Sequence, residues 1–133
     1  MKSARPVHAF DLERSYVHLS DGPDAREIEV TPDFWQTIGE RPDLMGGRLV
    51  VAARFTADWP HWEMHPAGEE LVVLVSGALD FVLEHADGGR ETLPLRGRGA
   101  LLVQRGTWHY ARVHEACEMW FVTYGAGTRH RAV

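Results

Sequence analysis

The chain has a single cysteine, Cys117, so it can form no internal disulfide and no cysteine-based zinc cluster; any metal must be held by nitrogen and oxygen. Basic charge is also short, with 14 Lys and Arg against 19 Asp and Glu and a formal net charge of −5. No broad positive field is available to gather phosphates, and nucleic acid is not an expected partner. No apolar run approaches the ~20 residues that cross a bilayer, and Met1 to Pro6 starts without one. The expected setting is therefore the cytoplasm, with no membrane partner. A nucleophile triad, a phosphate-binding glycine loop and a dinucleotide fingerprint are absent too, so hydrolase, kinase and dehydrogenase readings have no support.

What the chain does have is turns. Asp21-Gly22-Pro23, Met45-Gly46-Gly47, Pro66-Ala67-Gly68, Ser76-Gly77, Asp87-Gly88-Gly89, Gly97-Arg98-Gly99, Arg105-Gly106 and Gly125-Ala126-Gly127 divide it into short pieces. Between them, Arg48 to Phe55, Glu70 to Val75, Ala78 to Glu84, Thr107 to His114 and Cys117 to Tyr124 are rich in β-branched and aromatic residues and read as strands. Only Thr31 to Ile38 reads as helix, of one or two turns, with Thr31 as cap and Pro32 in the first helical position. Closely spaced strands without intervening helices predict an all-β antiparallel sandwich, barrel or jelly roll. At 133 residues one domain spanning 1–133 is expected, long enough to bury roughly 65–70% of its unfolded surface. The run Leu71 to Val75 leaves neither strand face obviously wet, so one face fills the core. The other requires a cover: another sheet, the N-terminal segment or a second subunit, which makes a homodimer the expected state.

Alternation places His61, Glu63 and His65 on one face of an extended segment, with Trp62 and Met64 on the other. Those three polar residues either face water or gather ligand atoms. Glu70 shares a side with Val72 and Leu74, where a lone buried carboxylate would be costly. His109 alternates in step with Thr107, Ala111 and Val113 and so looks inward, as a hydrogen-bonded core residue or as a ligand.

The run His65-x4-Glu70-x6-Gly77, followed by Gln104-x-Gly106-x2-His109, resembles the two signature motifs of the cupin superfamily over about Ala57 to Val113. The resemblance implies a small cupin-type β-barrel, with its core at about residues 48–124 and a hairpin turn at Gly77. Four positions depart from the family pattern: Ala57 for glycine, Glu63 for the first histidine, Gln104 for proline and Val113 for asparagine. The metal ligands it implies here are Glu63, His65, Glu70 and His109, with His61 as an alternative source of the missing imidazole. A carboxylate in place of an imidazole still permits divalent iron, manganese, zinc or nickel and shifts preference toward harder ions. Three readings stay open: a metal-dependent oxygenase or isomerase acting on a small molecule, a non-catalytic small-ligand binding or sensing module, and a structural dimer with a vestigial pocket. Trp59, Trp62 and Trp108 either wall a pocket or pack as core. Arg54 either reaches the interior, to hold a substrate carboxylate, or lies on the surface. His8, His18, His85, His114 and His130 show no partner pattern. Gly125 to His130 reads as an exit loop that could fold over a barrel mouth.

Overall fold

Nine strands in chain order dominate the computed structural model, which describes residues 6–133: β1 (Ser15–Leu19), β2 (Ala25–Glu29), β3 (Arg48–Phe55), β4 (His61–Met64), β5 (Glu70–Glu84), β6 (Arg90–Arg96), β7 (Ala100–Val103), β8 (Trp108–Thr123) and β9 (Arg129–Ala132). The pairings between strands are antiparallel, in a path β2-β1-β3-β8-β4-β9, with β5 joined to β8 and carrying β6 and β7. The all-β reading holds, in the manner of a jelly roll, but the sheet does not close into a complete barrel.

The single short α-helix among the described residues, α1 (Phe34–Thr37), starts later than the sequence suggested. Thr31 does not cap it: its hydroxyl donates to the Asp33 carboxylate at 2.7 Å, and Asp33 is the residue at the helix start. Two 3-10 turns, Ile38–Glu40 and Pro42–Leu44, follow directly.

The largest departure is at Gly77, which does not turn a hairpin. Glu70 to Val75 and Ala78 to Glu84 are two halves of one 15-residue strand, bulged where its pairing to β8 shifts register between Leu74 and Leu79. Gly77 sits there at φ 90°, and a Cβ would stand 2.4 Å from the Ala116 carbonyl oxygen. Glycine thus serves a bend in the strand. The bend sends the first half of β5 to pair with β7 and the second with β6. The real hairpin lies one turn later, at Asp87-Gly88, between β5 and β6. The two histidine-bearing and tryptophan-bearing pieces Thr107 to His114 and Cys117 to Tyr124 likewise form one strand, β8.

Inward residues of the long strands, Val72, Leu74, Leu79 and Phe81 on β5 and Ala111, Met119 and Phe121 on β8, make the centre of the core. Their outward neighbours are not buried by a second layer. Leu71 pairs with Leu102 and Val122, Val73 with Ala100 and Trp120, and partners in antiparallel register share a face. On that face Leu102 is 70% exposed and Trp120 42%. Among the described residues the doubly apolar strand therefore has only one face covered. Arg54 is also outward, paired with Glu13 at 2.6 Å and Glu118 at 3.7 Å, so the interior reading of that residue is set aside.

Candidate metal centre

Glu70 opens β5 where the chain leaves the His65-Pro66-Ala67-Gly68 turn, and its side chain follows Val72 and Leu74 inward. Gly68 permits that turn to press on the end of β8, since a Cβ there would stand 2.1 Å from the Tyr124 ring. His109 sits on the same inward side of β8 as Ala111 and directly opposite Glu63 of β4. The bend in β5 and the turn after β4 thus bring residues from three strands and one turn to a single place.

There the Glu70 carboxylate lies between two imidazoles. Its Oε2 is 3.2 Å from His65 Nε2 and its Oε1 is 3.2 Å from His109 Nε2. Ligand atoms of Glu63, His65 and His109 lie within 4.8 Å of one another. All four residues singled out in the sequence therefore gather around the two imidazoles. His61 does not join them: it is exposed, across from Ala132. Glu70, His65 and His109 are buried, at 3%, 6% and 0% exposure, while Glu63 is half-buried and also meets His130 Nε2 at 3.2 Å.

The outer nitrogens of both rings are already used. His109 Nδ1 is 2.9 Å from the Thr107 carbonyl oxygen, which can only accept, so Nδ1 carries the proton. The Thr128 hydroxyl donates to the Gly125 carbonyl at 2.8 Å, so its oxygen accepts from His65 Nδ1, also at 2.8 Å. In the neutral ring each histidine thus turns an Nε2 lone pair toward Glu70. Neither Nε2 has a well-aligned hydrogen bond, nor does Glu70 Oε1, while Glu70 Oε2 accepts from the Thr123 hydroxyl at 2.5 Å. Two nitrogen lone pairs and a carboxylate oxygen, buried and facing one another without donors, match what a divalent cation requires.

Charge follows the same logic. Burial alone pushes the Glu70 carboxyl up, but the facing imidazoles of His109 and His65, in the form that carries a proton on Nε2, outweigh it and hold the group at about 2. Burial also works against a charged His109, yet the facing Glu70 carboxylate raises its basicity above the ordinary value, with help from the Thr107 carbonyl. Without metal, a proton on Nε2 stands where the cation would.

Of the three tryptophans that flank the motifs, Trp59, Trp62 and Trp108, only Trp59 faces this interior. Its ring lies 6.4 Å from that of His109 and 5.8 Å from Phe81, centroid to centroid, and its indole N–H is buried without an acceptor among the described residues. Trp62 and Trp108 are on the opposite face of their strands from Glu63 and His109, under the guanidinium of Arg131 at 4.9 and 4.6 Å. Sequence reasoning missed Thr123, and it put Thr128 and His130 in an exit loop over a barrel mouth without giving either a contact. His130 meets Glu63 only because β9 pairs with β4 across a separation of 67 residues, and no local pattern announces that.

No family model matches the sequence, and no curated protein matches it. Solved structures do. Oxalate oxidase in complex with the substrate analogue glycolate is 13% identical, with a TM-score of 0.54 over 62% of this chain and 45% of that one. Oxalate oxidase from a structural and spectroscopic study of its mechanism gives 13% and 0.53 over 61% and 44%. An oxalate decarboxylase from work on proton-coupled electron transfer gives 15% and 0.52 over 65% of this chain and 23% of that one. These proteins share the cupin fold, and the chain spans less than half the length of each.

Proposed function

We propose that this chain, a cupin by its fold, holds one divalent metal ion on His65, His109, Glu70 and Glu63 and is a metal-dependent oxygenase or isomerase of a small organic molecule. The observation that carries the reading is the pair of buried Nε2 lone pairs, each fixed by an Nδ1 hydrogen bond and both turned to one carboxylate. Iron, manganese, zinc and nickel all suit two imidazoles and two carboxylates; the second carboxylate favours the harder ions of that set. Bound there, the ion supplies a Lewis acid or an oxygen-binding centre. The chain's own contribution is orientation and dryness. Thr107 and Thr128 hold the rings, Thr123 holds Glu70, and Phe81, stacked on His109 at 5.3 Å, keeps water from the inner side. Trp59 offers its free N–H to an oxygen of the molecule bound beside the ion.

A non-catalytic binding module would be marked by a Glu63 turned away from the histidines, and the closeness of Glu63 to both favours the enzyme reading. Elemental analysis of the full chain, purified without a histidine tag, is expected to give one equivalent of a first-row metal. A folded, metal-free chain that takes up none of these ions on reconstitution would overturn the reading.

A cytoplasmic homodimer belongs to the same proposal. Among the described residues no helix is long and apolar enough to cross a membrane. The second copy would cover the outer face built by Leu71, Val73, Leu102, Trp120 and Val122, whose rim carries both signs in Arg54 and Glu118, as a self-matching two-fold surface requires. Sedimentation of the chain is expected to show a dimer, and Trp120→Glu a monomer that keeps its fold. A monomeric parent chain would remove the dimer and leave the metal reading intact.

A further inference from the structure

The end of the chain bears on the site more closely than a surface strand needs to. Among the described residues β9 pairs only with β4, and β4 meets β8 at Glu63 opposite His109, so His130, Glu63 and His109 stand side by side in one row across three strands. The turn before β9 carries Thr128, whose hydroxyl receives His65 Nδ1–H while donating to Gly125. Gly127, at φ 73°, lets this turn close on the loop that bears His65: a Cβ there would stand 3.2 Å from Pro66. On the other face, Arg131 lies over the rings of Trp62 and Trp108 and pairs with Glu84 of β5, anchoring the strand to the sheet.

We propose that the turn Gly125 to Thr128 together with β9 forms a latch over the metal centre. Thr128 fixes the Nδ1–H tautomer of His65, and His130 holds the Glu63 carboxylate, so that the latch sets metal affinity and geometry without supplying a ligand. Both are positioning residues. Loss of the Thr128 hydroxyl frees the His65 ring to rotate or to place its proton on Nε2, where it blocks the ion. Loss of His130 frees Glu63 to swing toward solvent, which its half-buried position allows. The inference rests on the metal reading above and deepens it.

The test is titration of the metal-free full chain with cobalt(II) in competition with a chelator, recording affinity and the visible absorption of the bound ion. Thr128→Val is expected to lower affinity about 10- to 100-fold, the usual cost of an outer hydrogen-bond partner, and Thr128→Ser to restore it. His130→Ala is expected to change the cobalt spectrum, reporting an altered Glu63 contact, and His130→Gln to return most of it. Circular dichroism of each metal-free variant separates a lost contact from a lost fold. If Thr128→Val does not fold, His130→Ala, read against His130→Gln, carries the test by itself. A parent chain that binds no cobalt sinks the metal reading and the latch together. A parent chain that binds it, with the Thr128 and His130 variants unchanged in affinity and spectrum, sinks the latch alone.

Discussion

Glu70→Gln is expected to lower the affinity for a divalent metal about 100-fold or more while leaving the chain folded. The size follows from what the residue does. Loss of an outer partner of a ligand costs roughly 10- to 100-fold in metal affinity, and Glu70 is proposed as a ligand itself. Its carboxyl, held at about 2, is an anion at any working pH, so the substitution removes a full buried charge from between two imidazoles. Glutamine is nearly the same shape, and its amide can donate to an Nε2 lone pair and accept from the Thr123 hydroxyl. The fold thus keeps its packing and loses the charge that a cation needs. Glu63→Gln removes a half-exposed carboxylate shared with His130, so a smaller drop, about 10-fold, is expected there. Isothermal titration of the two variants beside the parent decides the matter; a Glu70→Gln chain that binds one equivalent with parental affinity would remove Glu70 from the site.

Residues that depend on local spacing were legible in the sequence, and those that depend on long-range pairing were not. Alternation alone put His109 on the inner side of its strand and Glu70 in line with Val72 and Leu74, and both are buried there. The all-β reading followed from turn residues at short intervals, and Arg48–Phe55 was read to its ends. Gly77 misled for a physical reason: a glycine at positive φ serves a tight turn and a strand bulge equally, and only the close approach of Ala116 and Cys117 on the facing strand decides between them. The jelly-roll reading holds, but that the sheet stays open was not legible, because closure depends on edge pairing that local pattern does not encode. Trp62 and Trp108 lay near the site in sequence, but the alternation that turned Glu63 and His109 toward it put these two on the opposite face, where Trp62 is buried and Trp108 half-buried. Thr128 and His130 entered through the pairing of β9 with β4, which joins segments with no shared pattern.

The second large effect is on thermal stability, where the proton and the metal compete for the same nitrogen. His109 has a basicity raised above its ordinary 6.5 in the metal-free fold, the opposing effect of burial being outweighed by Glu70. Such a group contributes stability that is complete below about 6.5 and is lost as pH rises through the raised folded value. Glu70, lowered from 4.5 to about 2, contributes stability that is present above about 4.5 and is lost as pH falls toward 2. These two groups place the best pH of the metal-free chain between about 4.5 and 6.5, with the melting temperature falling on the alkaline side. A metal ion needs Nε2 deprotonated, so its binding strengthens over the range in which the proton's contribution fades. At 100 times its dissociation constant a ligand adds about 2.7 kcal/mol, which for a domain of this size corresponds to roughly 10 °C in melting temperature. The gap between metal-loaded and metal-free melting temperatures is therefore expected to widen from pH 6 to pH 8 at fixed total metal. In His109→Gln, which has no imidazole nitrogen to titrate or to ligate, that gap is expected to shrink and to lose most of its pH dependence. A gap that stays constant across this range in the parent chain, or one that persists undiminished in His109→Gln, would mean that the ion binds away from residue 109.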